Sequence, residues 1–268
     1  MKITKIFASD MDGTFLRMDH QFDRKRFKKV IQSFKEKGYL FVVASGRPLL
    51  NLKHLFAEFL DEIAIVAENG SVVYYKGEIL YQAEPMNKQL VLDIIDSLEK
   101  SPYASGLRTI VSGLEGAFVL DSISQTDYDF ISHFYLEAKR VKSYQEIEVD
   151  VIKLVAAFEA DHLESAQAWL NDHFKEVNAV TTGGDSVDII LDGGHKAIGL
   201  EMLCQHLGLQ AKDVIAFGDN ENDLEMLSFA SIAFATENAK ESVKTMANQV
   251  LGPCDEEPVM AYLEEICK

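Results

Sequence analysis

Ile3-Thr4-Lys5-Ile6-Phe7-Ala8-Ser9 runs as a hydrophobic strand, and Asp10-Met11-Asp12-Gly13-Thr14 ends it in a tight turn that carries two carboxylates. Open α/β sheets place their chemistry at strand ends of this kind. Carboxylates crowded there repel one another unless a cation or a shared proton intervenes. The stretch is therefore a candidate reaction site as well as a turn.

The pattern on either side is that of a parallel sheet. Phe27, Val30, Ile31 and Phe34 recur at i, i+3, i+4 and i+7, one face of a helix, with Asp23 suited to cap its start and Gly38 its end. Tyr39–Ala44 reads as a buried strand that stops at Ser45-Gly46-Arg47. Pro48 suits the first turn of a next helix carrying Leu52, Leu55, Phe56 and Phe59. Ile63–Ala67 is another buried strand, followed by Asn69-Gly70 and a hairpin turning at Lys76-Gly77. Strands joined by single helices imply a doubly wound, Rossmann-like α/β sheet.

Between residues 84 and 192 the character changes. Two helix patterns, near 91–98 and 160–174, mix with strand candidates at 107–111, 117–120, 151–158 and 187–191. The first pattern then resumes with helix Lys196–Leu207, strand 214–217, helix 223–229 and strand Ile232–Ala235. The economical reading is a discontinuous core domain, 1–84 and 192–268, interrupted by an inserted α+β domain, 85–191.

Composition narrows the function classes. With 26 Lys and Arg against 43 Asp and Glu, the net charge is −17, so nucleic acid and anionic membranes should repel the chain. No apolar stretch approaches a membrane span, and the first residues enter a strand without a signal-peptide layout. Cys204, Cys254 and Cys267 form no CxxC pair and read as free thiols in a reducing cytoplasm.

Four clusters fall at predicted strand ends or helix starts: Asp10-Met11-Asp12-Gly13-Thr14, Ser45-Gly46-Arg47, Lys196, and Gly218-Asp219-Asn220-Glu221-Asn222-Asp223. In this order they resemble the haloacid dehalogenase superfamily, most nearly its Cof-type, sugar-phosphatase-like members, which carry a large α/β cap between the second and third motifs. The resemblance covers essentially the whole chain and is most specific in the core.

It implies a Mg²⁺-dependent phosphatase that hydrolyses small phosphomonoesters, sugar phosphates foremost, through an aspartyl-phosphate. Asp10 takes the position of the nucleophile. Asp12, two residues on and pointing the same way in a continuing strand, would protonate the leaving oxygen and then deprotonate the hydrolytic water. Gly13 would let the chain turn, and the Thr14 hydroxyl would hold that turn. By the same resemblance Asp10, the Asp12 carbonyl and Asp219 are metal ligands, with Asp223 either a further ligand or an anchor behind them. A hard, oxygen-rich set suits Mg²⁺ rather than zinc.

Backbone N–H groups of Ser45 and Gly46, the Ser45 hydroxyl, the Asn222 amide and the Lys196 ammonium would receive phosphate oxygens. Lys196 opens a helix, the wrong end for a cation on dipole grounds, unless it neutralises phosphate and carboxylates. Relatives often have asparagine where His195 stands and glutamate near Asp188; these two, Arg47 and the Gly183-Gly184-Asp185 loop border the expected substrate pocket. A phosphomutase or phosphotransferase would use the same Asp10 and Asp12, and a non-catalytic phosphate-responsive binding module would keep the fold without turnover.

Overall fold

The computed structural model describes residues 2–181 and 185–268, which fall into two compact units. One gathers the chain up to Gly46, Leu55–Gln82 and His195–Lys268; the other gathers Arg47–His54 and Ala83–Gly194. Residues 47–54, expected in the core, group with the inserted unit, where Asn51 Oδ1 accepts the Leu136 amide at 3.5 Å.

In chain order the first unit opens with β1 (Lys5–Ser9), α1 (Arg24–Lys37) and β2 (Tyr39–Ala44). After α2 (Leu49–Leu55) it continues through β3 (Ile63–Ala67), β4 (Val72–Tyr75) and β5 (Glu78–Gln82). The second unit supplies α3 (Lys88–Glu99), β6 (Arg108–Gly113), β7 (Gly116–Leu120), α4 (Gln125–Phe134) and β8 (Ala138–Val141). It goes on with β9 (Val151–Ala157), α5 (Leu163–His173), β10 (Val177–Thr181) and β11 (Ser186–Leu191). The chain returns with α6 (Lys196–Leu207), β12 (Val214–Gly218), α7 (Leu224–Phe229) and β13 (Ile232–Ala235). It closes with α8 (Glu241–Met246), β14 (Gln249–Val250) and α9 (Pro258–Cys267).

The first unit holds one sheet in the order β14-β13-β12-β1-β2-β3-β4-β5, parallel from β14 to β3 and antiparallel through the β3–β4–β5 hairpins. β1 is central: Ser9 pairs with Val43 of β2 on one side and Phe217 of β12 on the other. The residues that follow, Asp10, Ser45 and Asp219, leave the sheet at one edge. That edge is where the winding reverses direction, the crevice in which open α/β sheets bind ligands.

Both faces of this sheet are covered, so its central strands read as continuous apolar runs. On one face α1 buries Phe27, Val30, Ile31 and Phe34; Asp23 caps it by accepting the Lys25 and Arg26 amides, and Gly38 ends it in the left-handed region. Phe15, Phe22, Phe27, Phe41, Phe56 and Phe59 interlock there with ring centroids 4.9–6.4 Å apart. Truncating one such ring to alanine costs about 3–5 kcal/mol. The other face packs Leu200 and Leu203 of α6, Met226 and Leu227 of α7 and Val243 of α8 against the strands. The expected helix through Phe59 stops earlier, at Leu55. Successive turns, with Phe59 N–H on Phe56 O and Ile63 N–H on Phe59 O, keep Phe56 and Phe59 on the core side.

The second unit is a sheet in the order β10-β11-β9-β6-β7-β8, antiparallel except for the β7–β8 pair. Helices α3 and α5 cover one face through Ile94, Ile95, Leu98, Ala166 and Leu170. α4, β8 and β10 were not legible as elements. α4 buries a single apolar residue, Ile131, so it carries almost no helical stripe.

Candidate active site

Asp10 follows β1 directly and stays in register with the sheet, its N–H donating to Phe217 O at 3.0 Å. Its carboxylate is buried, and Lys196, with no exposed surface, donates to Asp10 Oδ1 at 2.5 Å and to Asp223 Oδ1 at 2.6 Å. Lys196 is the first residue of α6, and the two carboxylates explain how a cation is tolerated at that end of a helix. The other Asp223 oxygen accepts the Asp219 and Asn220 amides at 2.9 and 3.0 Å, closing the turn after β12.

Asp219 is held from the first motif. The Thr14 hydroxyl, expected to brace its own turn, donates instead to Asp219 Oδ1 at 2.7 Å. The turn is braced by Thr236 and Asn238, whose side chains donate to the Gly13 carbonyl at 3.0 and 2.8 Å. Gly13 has φ +84°, and a Cβ there would run into the Asp219 carboxylate. Both facts require glycine at this position. Carboxylate oxygens of Asp10, Asp219 and Asp223 all lie within 4.8 Å of one another.

The electrostatics follow from that crowding. Burial raises the Asp10 carboxyl well above the ordinary carboxylate range; Lys196 pulls it back, and Asp223, Asp219 and Asp12 push it up again. Asp219 is raised to about 6, by burial first and then by Asp223, against the Thr14 hydrogen bond and Lys196. Burial disfavours the Lys196 ammonium, but Asp10 and Asp223 outweigh it and hold the group above its usual value. Two raised carboxyls beside a third make a set that a divalent cation would relieve. All its donors are hard oxygens, so the residues fit magnesium.

Asp12 is more accessible, and its Oδ1 lies 2.9 Å from His20 Nδ1. His20 was not anticipated: it stands in a loop without periodicity, and its only local sign is a turn-like setting.

Ser45 is buried, but its N–H donates to Val66 O at 2.9 Å. That amide belongs to the sheet and is not a phosphate donor as expected; the hydroxyl and Gly46 stay at the strand end. Asn222 is buried with its amide donating to Asn69 Oδ1 at 3.1 Å. His195 precedes Lys196 without capping α6, and its buried Nδ1 has no partner among the described residues.

The remaining pocket candidates lie in the second unit. Asp188 is buried and pairs with buried Lys153 at 3.1 Å, a partner that an apolar strand pattern had hidden. Arg47 groups with this unit. Asp185 accepts from Arg108, while Gly183 and Gly184 lie outside the described residues.

The arrangement is that of a phosphoryl-transfer hydrolase, and a family model agrees: residues 7–263 match the haloacid dehalogenase-like hydrolases. The chain belongs to that family. It is 31% identical over 265 residues to the 5-amino-6-(5-phospho-D-ribitylamino)uracil phosphatase YbjI of Escherichia coli K12, covering 98% of this chain and 96% of that one. It is 25% identical over 268 residues to YitU of Bacillus subtilis 168, which has the same named activity, covering 97% and 96%. Among solved structures, SMU.1108c of Streptococcus mutans UA159 superposes with a TM-score of 0.92 at 26% identity over 98% of each chain. No described helix is long and apolar enough to cross a membrane.

Proposed function

We propose that this chain is a magnesium-dependent phosphatase that hydrolyses phosphomonoesters of small polyhydroxylated metabolites through an aspartyl-phosphate. The observation that carries the reading is the buried Asp10–Lys196–Asp223 line at the end of β1, with Asp219 beside it. Two relatives named for a phosphoribityl substrate support the substrate class.

Asp10 attacks phosphorus with a carboxylate oxygen, forming the acyl phosphate as the ester oxygen departs. Asp12, the accessible acid of the pair, gives that oxygen its proton and then takes one from the water that cleaves the intermediate. Lys196 holds Asp10 in place and offsets charge on the phosphoryl oxygens. The Ser45 hydroxyl, Gly46 and Asn222 bind those oxygens. Asp10, Asp219 and the Asp12 carbonyl would hold magnesium, which would supply further neutralisation of the phosphate. Asp223, with both oxygens already engaged by Lys196 and two amides, anchors rather than ligates.

In domain terms, the unit of residues 1–46, 55–82 and 195–268 is the catalytic core, and the inserted unit of 83–194, with 47–54, is the cap. Three free cysteines suit a reducing compartment, so the enzyme works in the cytoplasm.

The test is phosphate release from a panel of phosphorylated sugars, sugar alcohols and nucleotides, with Mg²⁺ and with excess chelator. Chelator-sensitive release that Asp10→Asn abolishes supports the reading; release that survives Asp10→Asn removes the nucleophile. Adding an alcohol acceptor separates transfer from hydrolysis.

A further inference from the structure

Between β3 and β4 the chain makes a turn in which Glu68, Asn69 and Gly70 all have positive φ, at 51°, 54° and 98°. Such a run is strained for a glutamate and tolerated by asparagine and glycine. Strain of this kind persists only where the surroundings over-determine it, and here they do. The Asn69 amide donates to Ser45 O at 3.1 Å. The Asn69 side chain fills the space beside Gly46, where an added Cβ would lie 2.9 Å from Asn69 Oδ1. The same Oδ1 accepts from Asn222 Nδ2, from a residue 153 positions away. Gly70 abuts the His195 carbonyl so closely that a Cβ would overlap it, immediately before Lys196. One buried turn thus touches the Ser45-Gly46, His195-Lys196 and Asn222 segments at once.

We propose that Asn69 is a positioning residue for the phosphoryl group, acting through Asn222. This rests on the phosphatase reading, in which Ser45, Gly46 and Asn222 receive phosphate oxygens. A side-chain amide carries two N–H donors and one carbonyl acceptor. Asn69 engages one Asn222 N–H, which sets the direction of the second and turns the Asn222 carbonyl away from it. Without that acceptor the amide rotates and can present its carbonyl to a dianion, a repulsive contact. Asn69 also ties its own backbone to Ser45, so both phosphate-binding segments share one reference point.

A double-mutant cycle between Asn69 and Asn222 tests this, read by inorganic phosphate affinity in the presence of Mg²⁺ and by kcat and KM for p-nitrophenyl phosphate. Asn69→Gly keeps the left-handed turn and deletes the acceptor. It and Asn222→Ala are each expected to weaken phosphate binding about tenfold, the scale of one hydrogen bond to a charged ligand. In the Asn69→Gly background, Asn222→Ala should then cost less than about twofold. Asn69→Asp, which keeps an acceptor and tolerates the turn, should leave Asn222→Ala at its full cost; Asn69→Ala, which also deletes the acceptor, closes the cycle if the glycine variant folds poorly. Losses that multiply in the double variant, or an Asn69→Gly protein that binds phosphate as the wild type does, would overturn the assignment. Wild-type protein that binds no phosphate would overturn the phosphatase reading, and this inference with it.

Discussion

Lys196 lies 186 residues along the chain from Asp10, yet its ammonium sits 2.5 Å from Asp10 Oδ1 with no solvent-exposed surface. A buried ammonium is costly unless paired, and a buried carboxylate equally so. Asp223, at 2.6 Å, completes a line of two acids and one base that leaves one net negative charge for a cation or a shared proton to compensate.

Removing the base should therefore damage both stability and turnover. Lys196→Met keeps the volume but leaves two buried carboxylates uncompensated, a change of about 3–5 kcal/mol by the usual cost of breaking a buried pair. Denaturant melts of the metal-free protein at pH 8 measure it; an unchanged midpoint would mean that the acids find other compensation.

Asp10→Asn is expected to behave oppositely on the two axes. Hydrolysis should fall by about 10³-fold or more, since the nucleophile itself is lost. Stability should hold or rise, because one of three crowded acids becomes neutral. Turnover and thermal midpoint of the same preparation test both halves.

Magnesium should stabilise the protein increasingly as pH rises. Asp219 is raised to about 6 in the folded chain, so the stability of its protonated form is fully present below its unfolded value, near 3.8, and is lost as pH climbs through 6. The cation requires the ionised form, so its stabilising increment grows over that interval. At a hundred times its dissociation constant it amounts to about 2.7 kcal/mol. The thermal midpoint with magnesium minus that with chelator, measured from pH 5 to 8, should increase in the wild type and increase less in Asp219→Asn, where Asp10 is the raised acid that remains.

A second ion-pair cluster contributes to the acid limit. Arg26 grips Glu264 with two hydrogen bonds at 2.9 and 2.8 Å and reaches Glu257 at 2.8 Å, joining α1 to α9. Glu257 also takes Arg17 and the Asp23 amide. The Arg26 hydrogen bond holds the Glu264 carboxyl below its usual value. That stability is present above the unfolded value and disappears as pH falls through the folded one. Arg26→Met should shorten the acid-limb decline of the thermal midpoint, and Glu257→Ala should cost about 2 kcal/mol at pH 7 by removing the acceptor of the Asp23 N–H and of one nitrogen each of Arg17 and Arg26.

What the sequence determined by itself was whatever local periodicity encodes. The runs around Phe7, Phe41, Ile65 and Ile215 are buried on both faces, so each is recognisable as a central strand without its neighbours. The Asp23 and Gly38 caps bound α1 for equally local reasons. The four motifs then announced the family, because each sits where such a strand stops.

Tertiary structure decided the partnerships. That Thr14 serves Asp219, that the Ser45 amide belongs to Val66, and that Lys153 offsets Asp188 inside an apolar-looking strand depend on groups brought together from distant parts of the chain. A side chain's hydrogen-bond partner is set by which strands lie side by side, and no window of neighbouring residues carries that information. Asn69 is the plainest case: as sequence it is half of an ordinary Asn-Gly turn, and only the sheet order brings it against Gly46 and Asn222.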